Sequence, residues 1–201
     1  MHEQTAYFVN QIQNLNAQYT QETGKIKKCL THTFGCQMNE RDSEILFGFL
    51  SQMGYEKTDV EADADLILFN TCCIREKAES KVLSQLGELK KLKQKNPDLI
   101  IGVCGCMMQQ NGMADMVRSS APHVDIIFGT HNLHHFPEYL YRVYQGEGRQ
   151  VVVFEKEEGK ALLRKWGLKE NLVGIGNCIL GYADEAPEAS PRLDGRIVKI
   201  G

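Results

Sequence analysis

Three cysteines are spaced so that they could act together on a metal. Cys36, Cys72 and Cys106 each follow a segment predicted to be a β-strand, and the loops after parallel strands meet at one edge of a sheet, where ligands collect. Thiolates are soft ligands that suit zinc and iron–sulfur clusters. With only three cysteines, a [4Fe–4S] cluster would keep one iron open for sulfur or substrate. The spacing alone favours three independent buried cysteines, because free cysteine is often a core residue.

The composition of the chain limits its expected partners, its compartment and the roles of its seven cysteines. The 201-residue chain is 42% hydrophobic and 24% charged, and its net charge of −3 lacks the basic excess that drives nonspecific nucleic-acid binding. It shows neither a secretory signal nor the ~20-residue apolar run of a membrane span, so we expect a cytoplasmic protein without membrane contact. Because disulfides are rare in the cytosol, the cysteines are expected to bind metal, react or fill the core.

Alternating strand and helix signals predict an α/β fold, a mainly parallel, doubly wound sheet with helices on both faces. A Gly at position 54 should stop the first predicted helix, and Pro97 should end the second. The predicted strands are 26–32, 65–69, 99–103, 124–128 and 151–154, and the predicted helices are 39–53, 75–95, 109–120 and 133–144.

The two ends of the chain differ from its middle. Residues 1–24 are polar and rich in Gln and Asn, which favours a flexible, irregular N-terminal arm. Residues 25–155 carry the α/β pattern and are predicted to form one domain. A charge run begins at Glu155, and residues 156–201 are predicted to be an irregular tail rather than an independent domain.

Three blocks around the cysteines resemble the N-terminal domain of the tRNA methylthiotransferases, in particular the MiaB-like enzymes that act on isopentenyladenosine. The blocks are, in order, TFGCQMNERDSE (33–44), ADLILFNTCCIREKAESKV (64–82) and GVCGCMMQQ (102–110). The likeness covers about residues 25–155. It implies that an auxiliary [4Fe–4S] cluster binds to the three cysteines that match the family motifs, Cys36, Cys72 and Cys106.

The resemblance also ranks the remaining cysteines and the polar residues beside the ligands. Cys73 and Cys104 are neighbours that could substitute as ligands, whereas Cys29 and Cys178 are interpreted as buried thiols. Four polar residues could donate hydrogen bonds to cluster sulfides, although loop or helix-capping roles explain them equally well: Asn39, Asn70, Thr71 and Arg75.

The resemblance implies a transferase in tRNA processing that adds a methylthio group to an adenosine. Enzymes of that family also have a radical S-adenosylmethionine domain, whose CxxxCxxC motif binds a second cluster, and an RNA-binding domain. No three cysteines of this chain have that spacing. We therefore expect a chain that ends before the radical domain, binds the auxiliary cluster, contributes no catalytic residue alone and binds tRNA weakly or not at all without the full-length enzyme.

Two alternatives stay open. A non-catalytic module could bind zinc or a cluster, since three thiolates and a fourth from Cys73 or Cys104 would complete a tetrahedral zinc site. The last ~40 residues also resemble the carboxyl end of flavin nitroreductases, and the join could be a natural fusion or an artefact. A fragment of a flavin nitroreductase is therefore the weaker alternative. The rest of a flavin pocket is missing from the sequence, so we do not expect FMN to bind.

Overall fold

The computed structural model of the protein describes residues 3–72, 76–110 and 112–152. Within these residues, the strands form one six-stranded sheet in which every neighbouring pair is parallel. The strands are β1 (Lys28–Thr33), β2 (Glu56–Lys57), β3 (Leu66–Thr71), β4 (Ile100–Gly105), β5 (Ile126–Phe128) and β6 (Gln150–Val152). Their spatial order is β2-β1-β3-β4-β5-β6. The prediction of a parallel, doubly wound α/β fold is confirmed.

Helices cover both faces of the sheet and divide the core into two layers. The described helices are α1 (Glu3–Thr23), α2 (Gln37–Gln52), α3 (Glu76–Lys95), α4 (Met113–Ser120) and α5 (Phe136–Tyr144). Apolar side chains of α1, α2 and α5 pack on one face, and those of α3 and α4 pack on the other. Gly54 follows α2 with a φ of +87°, which confirms its predicted role as the helix stop.

The strands β3 and β4 form the centre of the sheet and are buried at every position. Successive side chains of β3 alternate between the layers: Leu66 and Leu68 face the α2 side, whereas Ile67 and Phe69 face the α3 side. This double coverage explains why the strand reads as a continuous apolar run. Because β1 lies between β2 and β3, the chain leaves β1 and β3 in opposite directions, and ligands of open α/β sheets bind beyond the carboxyl ends of such strands.

The prediction of an irregular N-terminal arm is wrong for Glu3–Thr23, which form the 21-residue helix α1. Val9 and Ile12 are buried in the core, and Asn16 Nδ2 donates a hydrogen bond to the Met53 carbonyl at 2.8 Å. Only four positions of α1, at helical spacing, are buried. A polar helix therefore forms because one narrow stripe packs against the domain.

Several predicted element bounds shift by a few residues. The helix predicted from residue 109 begins at Met113, after a short 3₁₀ turn at Cys106–Gln109 and a left-handed Gly112. The two-residue strand β2 was not predicted. The tail from residue 153 lies outside the described residues, and the domain limits at 24/25 and 155/156 stay predictions. Among the helices that the structure describes, none is long and apolar enough to cross a lipid bilayer.

Candidate metal centre

The three predicted ligands follow three neighbouring parallel strands. Cys36 lies three residues after the end of β1, Cys72 directly follows β3, and Cys106 directly follows β4. The strand register aligns these ends, because Thr33 of β1 pairs with Asn70 and Thr71 of β3 pairs with Gly105. Residues that are 36 and 34 positions apart in the sequence thus belong to adjacent loops at one edge of the sheet.

Gly35 brings the loop of Cys36 into contact with Cys72. Its φ of +123° lies in the region that favours glycine, and a Cβ built on it would stand 2.2 Å from Cys72 Cβ and 2.6 Å from Cys72 Sγ. The Cys72 side chain therefore packs directly on the Gly35 backbone. A side chain at position 35 would occupy the space of the thiol.

Gly105 likewise brings the loop of Cys106 into contact with the end of β3. Its φ is +102°, and a Cβ there would stand 2.2 Å from the Thr71 carbonyl oxygen and 2.7 Å from Asn70 Oδ1. The Cys106 thiol lies 3.7 Å from the same Thr71 carbonyl oxygen. The loop after β4 is thus packed tightly on the end of β3.

The three thiols differ in exposure. Cys36 and Cys106 are half-buried, and Cys72 is 1% exposed. Cys36 is also the residue that precedes the first turn of α2, in an extended conformation. Cys36 therefore stands at the amino end of α2, beside the strand ends that carry Cys72 and Cys106.

A buried amide network underlies the loops of Cys36 and Cys72. Asn39 Nδ2 donates to the Phe34 carbonyl at 2.9 Å and to Asn70 Oδ1 at 3.3 Å. Asn70 Nδ2 donates to the Asn39 carbonyl at 2.7 Å and to Ser43 Oγ at 3.0 Å. The Ser43 hydroxyl also shares a 2.7 Å hydrogen bond with the Thr33 hydroxyl. The two amides therefore join α2 to the carboxyl ends of β1 and β3.

Three of the four polar residues predicted to donate to cluster sulfides use their donors within the protein. The hydrogen bonds of Asn39 and Asn70 are those just described, and the Thr71 hydroxyl donates to the Cys104 carbonyl at 2.6 Å. The contact between Asn39 and Cys36 is made by its oxygen Oδ1, which accepts from the Cys36 thiol at 3.7 Å. Arg75, the fourth residue of that group, lies outside the described residues.

The other described cysteines belong to the core. Cys104 is fully buried on the α2 side of the sheet, and burial raises the pKa of its thiol well above the ordinary value, with a further contribution from Asp42. Burial also raises the pKa of Cys29 to about 11, partly opposed by Lys57. Cys72 is equally buried, but it follows its strand, whereas Cys104 lies within β4 and packs in the core on the α2 side. Cys73 and Cys178 lie outside the described residues.

The described side chains at this edge do not form a site for a single metal ion. Across residues 3–72, 76–110 and 112–152, no three His, Cys, Asp or Glu side chains are arranged to hold one metal ion. Structural zinc needs four ligands that converge on one point. In a four-iron cluster each cysteine binds a different iron, so the sulfur atoms stand farther apart. The three predicted thiols lie on three separate loops, and Cys73, a predicted substitute ligand, lies outside the described residues.

The three cysteines lie at one edge of the sheet, as predicted, but the hydrogen bonds between the amides beneath them were not predicted. Ser43 was not predicted to take part, and Asn39 and Asn70 were predicted either to donate to cluster sulfides or to have loop or helix-capping roles. The available signal was the polar stretch in the first turns of α2, where Asn39 and Asp42 are buried. Polar residues on the inner face of an amphipathic helix indicate a partner across the interface.

Comparison with known proteins gives consistent matches. The profile of the uncharacterized protein family UPF0004 matches residues 28–129, a range that contains all three cysteines. A relative named tRNA-2-methylthio-N(6)-dimethylallyladenosine synthase from Clostridium perfringens is 62% identical over 128 residues, which are 63% of this chain and 28% of the relative. Proteins of the same name from Clostridium botulinum (56% over 157 residues; 76% and 34%) and Acetivibrio thermocellus (48% over 175 residues; 85% and 36%) also match. The chain spans about a third of the length of these curated relatives.

These matches change the interpretation of the tail. The Acetivibrio alignment covers 85% of the 201 residues, so it extends to about residue 170 or beyond. The similarity therefore passes Glu155, where the motifs alone placed its end. The nitroreductase-like interpretation of the last residues is not supported by these comparisons.

Proposed function

Because this chain belongs to the UPF0004 family, we propose that residues 25–155 form the cluster-binding domain of a tRNA methylthiotransferase. The observation that carries the proposal is the set of Cys36, Cys72 and Cys106 on the loops after β1, β3 and β4. The 48–62% identity to proteins named as synthases of a methylthio-modified tRNA adenosine supports it.

Each of the three cysteines would bind one iron of a [4Fe–4S] cluster. When bound, the cluster would supply sulfur at the iron that no cysteine occupies. Gly35, which has no side chain to displace the Cys72 thiol, would let Cys72 lie at the same edge of the sheet as Cys36. The tight contact of Gly105 with β3 would hold Cys106 beside them.

The names of the relatives suggest the substrate. We propose that the full-length enzyme modifies dimethylallyladenosine (isopentenyladenosine) in tRNA, in the cytoplasm. S-adenosylmethionine and a second cluster would act from parts of that enzyme other than residues 25–155. This chain would contribute no catalytic side chain of its own, and its net charge of −3 supports weak RNA binding by the chain alone.

Anaerobic reconstitution with iron and sulfide tests the proposal. The wild-type chain should gain about four irons and four sulfides, the content of one such cluster. Cys36→Ala, Cys72→Ala and Cys106→Ala should each lose most of this iron, because each removes a ligand.

Cys104→Ala is the matched control, because it removes a nearby thiol that lies in the core. It should retain the full iron content. Normal iron binding by all three ligand variants would refute the assignment. Zinc, and no iron, in anaerobically purified wild type would favour the zinc-binding alternative with Cys73 as the fourth ligand.

A further inference from the structure

We propose that Asn39 and Asn70 are positioning residues that fix the separation of the cysteine loops, and that they do not donate hydrogen bonds to the cluster. This inference rests on the proposed function and extends it to residues that touch the ligand loops.

The two amides close a ring of hydrogen bonds between the loops of Cys36 and Cys72. The Phe34 N–H donates to the Asn70 carbonyl at 2.8 Å, while Asn39 Nδ2 donates back to the Phe34 carbonyl at 2.9 Å. The side chains then bond to each other, and Asn70 Nδ2 returns to the Asn39 carbonyl at 2.7 Å. Asn39 follows Cys36 by three residues and Asn70 precedes Cys72 by two. The ring thus ties each ligand loop to the other.

Asn70 also contacts the third loop. A Cβ on Gly105 would stand 2.7 Å from Asn70 Oδ1, so the backbone before Cys106 packs on this amide oxygen. Asn70 therefore touches the residues that precede or follow all three proposed ligands. Removing its side chain should loosen the three loops together.

The hydrogen bonds of the two Nδ2 groups favour a positioning role over direct contact with the cluster. An amide nitrogen has two N–H groups, and in both residues Nδ2 makes two hydrogen bonds within the protein. The atom that faces Cys36 Sγ is Asn39 Oδ1, and an oxygen without a hydrogen cannot donate to an iron-bound sulfur. Asn39 is 2% exposed and Asn70 is 0% exposed, so water cannot readily replace a lost partner.

The experiment compares the reconstituted wild type with Asn39→Ala, Asn70→Ala and Asn70→Asp. Asn70→Asp keeps the shape and the oxygen that accepts from Asn39 but removes the donors to the Asn39 carbonyl and Ser43. Each variant should lose iron to a chelator about 10-fold faster or more, the effect typical of residues that orient metal ligands. The electron paramagnetic resonance spectrum of the reduced cluster should broaden, because the loops would adopt several separations.

Asn16→Ala is the control for a general loss of stability. Asn16 is also a buried asparagine, but it bonds to Met53 at the opposite end of α2 from Cys36. It should lower the unfolding temperature of the cluster-free protein and leave the rate of iron loss and the spectrum unchanged.

The possible failures can be told apart. A wild type that gains no cluster would overturn the proposed function itself. A wild type that gains the cluster, with Asn39→Ala and Asn70→Asp losing iron at the wild-type rate, would overturn only the positioning role. If Asn16→Ala accelerates iron loss as much as the site variants do, the role of the amides is general stability and the inference is wrong. Should Asn70→Ala not fold, the other two site variants decide the question.

Discussion

Replacing Gly35 by Ala should damage the site and the fold together. The new Cβ would stand 2.2 Å from Cys72 Cβ, whereas ordinary contact begins at 3.4 Å, so Cys72 or the loop would have to retreat by about 1.2 Å. Overpacking of this kind costs about 1–3 kcal/mol. A side chain at a φ of +123° adds about 1–3 kcal/mol of backbone strain. The expected loss of unfolding free energy is about 2–6 kcal/mol, a large part of the ~5–15 kcal/mol of an ordinary domain.

Urea unfolding of the cluster-free protein measures this loss, and iron content after anaerobic reconstitution measures the damage to the site. Gly48→Ala is the matched control, since it lies within α2 and a Cβ there meets no atom within 4 Å. It should stabilise the protein by up to about 1 kcal/mol through helix propensity. If Gly35→Ala unfolds within about 0.5 kcal/mol of wild type and takes up a full cluster, the packing of Cys72 on Gly35 is not as described.

Three further predictions concern the rest of the domain. Ile12→Ala should lower the free energy of unfolding in urea by about 2–5 kcal/mol, because Ile12 is buried in the core. Tyr7→Ala, on the exposed face of α1, should change this free energy little. Equal effects of the two substitutions would contradict the packing of α1 on the domain. Burial raises the pKa of Cys29 from 9.0 to about 11, so between these pH values the folded protein keeps a proton that the unfolded chain has lost. The free energy of unfolding should therefore fall above pH 9, by up to about 1.4 kcal/mol per pH unit toward pH 11. In Cys29→Ala this decline should be smaller. Lys93→Met should lower the free energy of unfolding by about 1–3 kcal/mol, because it leaves the partly buried Asp125 without its ion-pair partner at 2.9 Å. An unchanged urea unfolding midpoint would refute this prediction.

The sequence predicted best those features that have a local pattern. The apolar run of β3 and its neighbours predicted a parallel sheet, and that sheet predicted adjacent loops for Cys36, Cys72 and Cys106. Gly54 was identified as a helix stop because a left-handed residue after a helix is a local requirement. These inferences needed only the residues within a few positions of each element.

Features that depend on tertiary contacts were missed. The helix α1 buries only four positions, two of which are the polar Thr5 and Asn16, so composition indicated an irregular arm. The hydrogen bond between Asn39 and Asn70 depends on the strand register that pairs Thr33 with Asn70. The sequence of either segment alone does not determine that register. The direct packing of Gly35 on Cys72 likewise follows from the distance between two loops and not from their sequences.

The position of β1 beside β3 has a consequence for the order of folding and metal binding. The proposed ligands are 36 and 34 residues apart in the chain, and they become neighbours only after β1, β3 and β4 have paired. An unfolded chain would therefore offer no preformed set of ligands, and a cluster would enter a domain that is already folded. A ligand that binds only the native state raises the free energy of unfolding of the whole domain. Loss of the cluster should then weaken β1, β3 and β4 as one cooperative unit, so amide hydrogen exchange in the central strands would report on iron at the edge of the sheet.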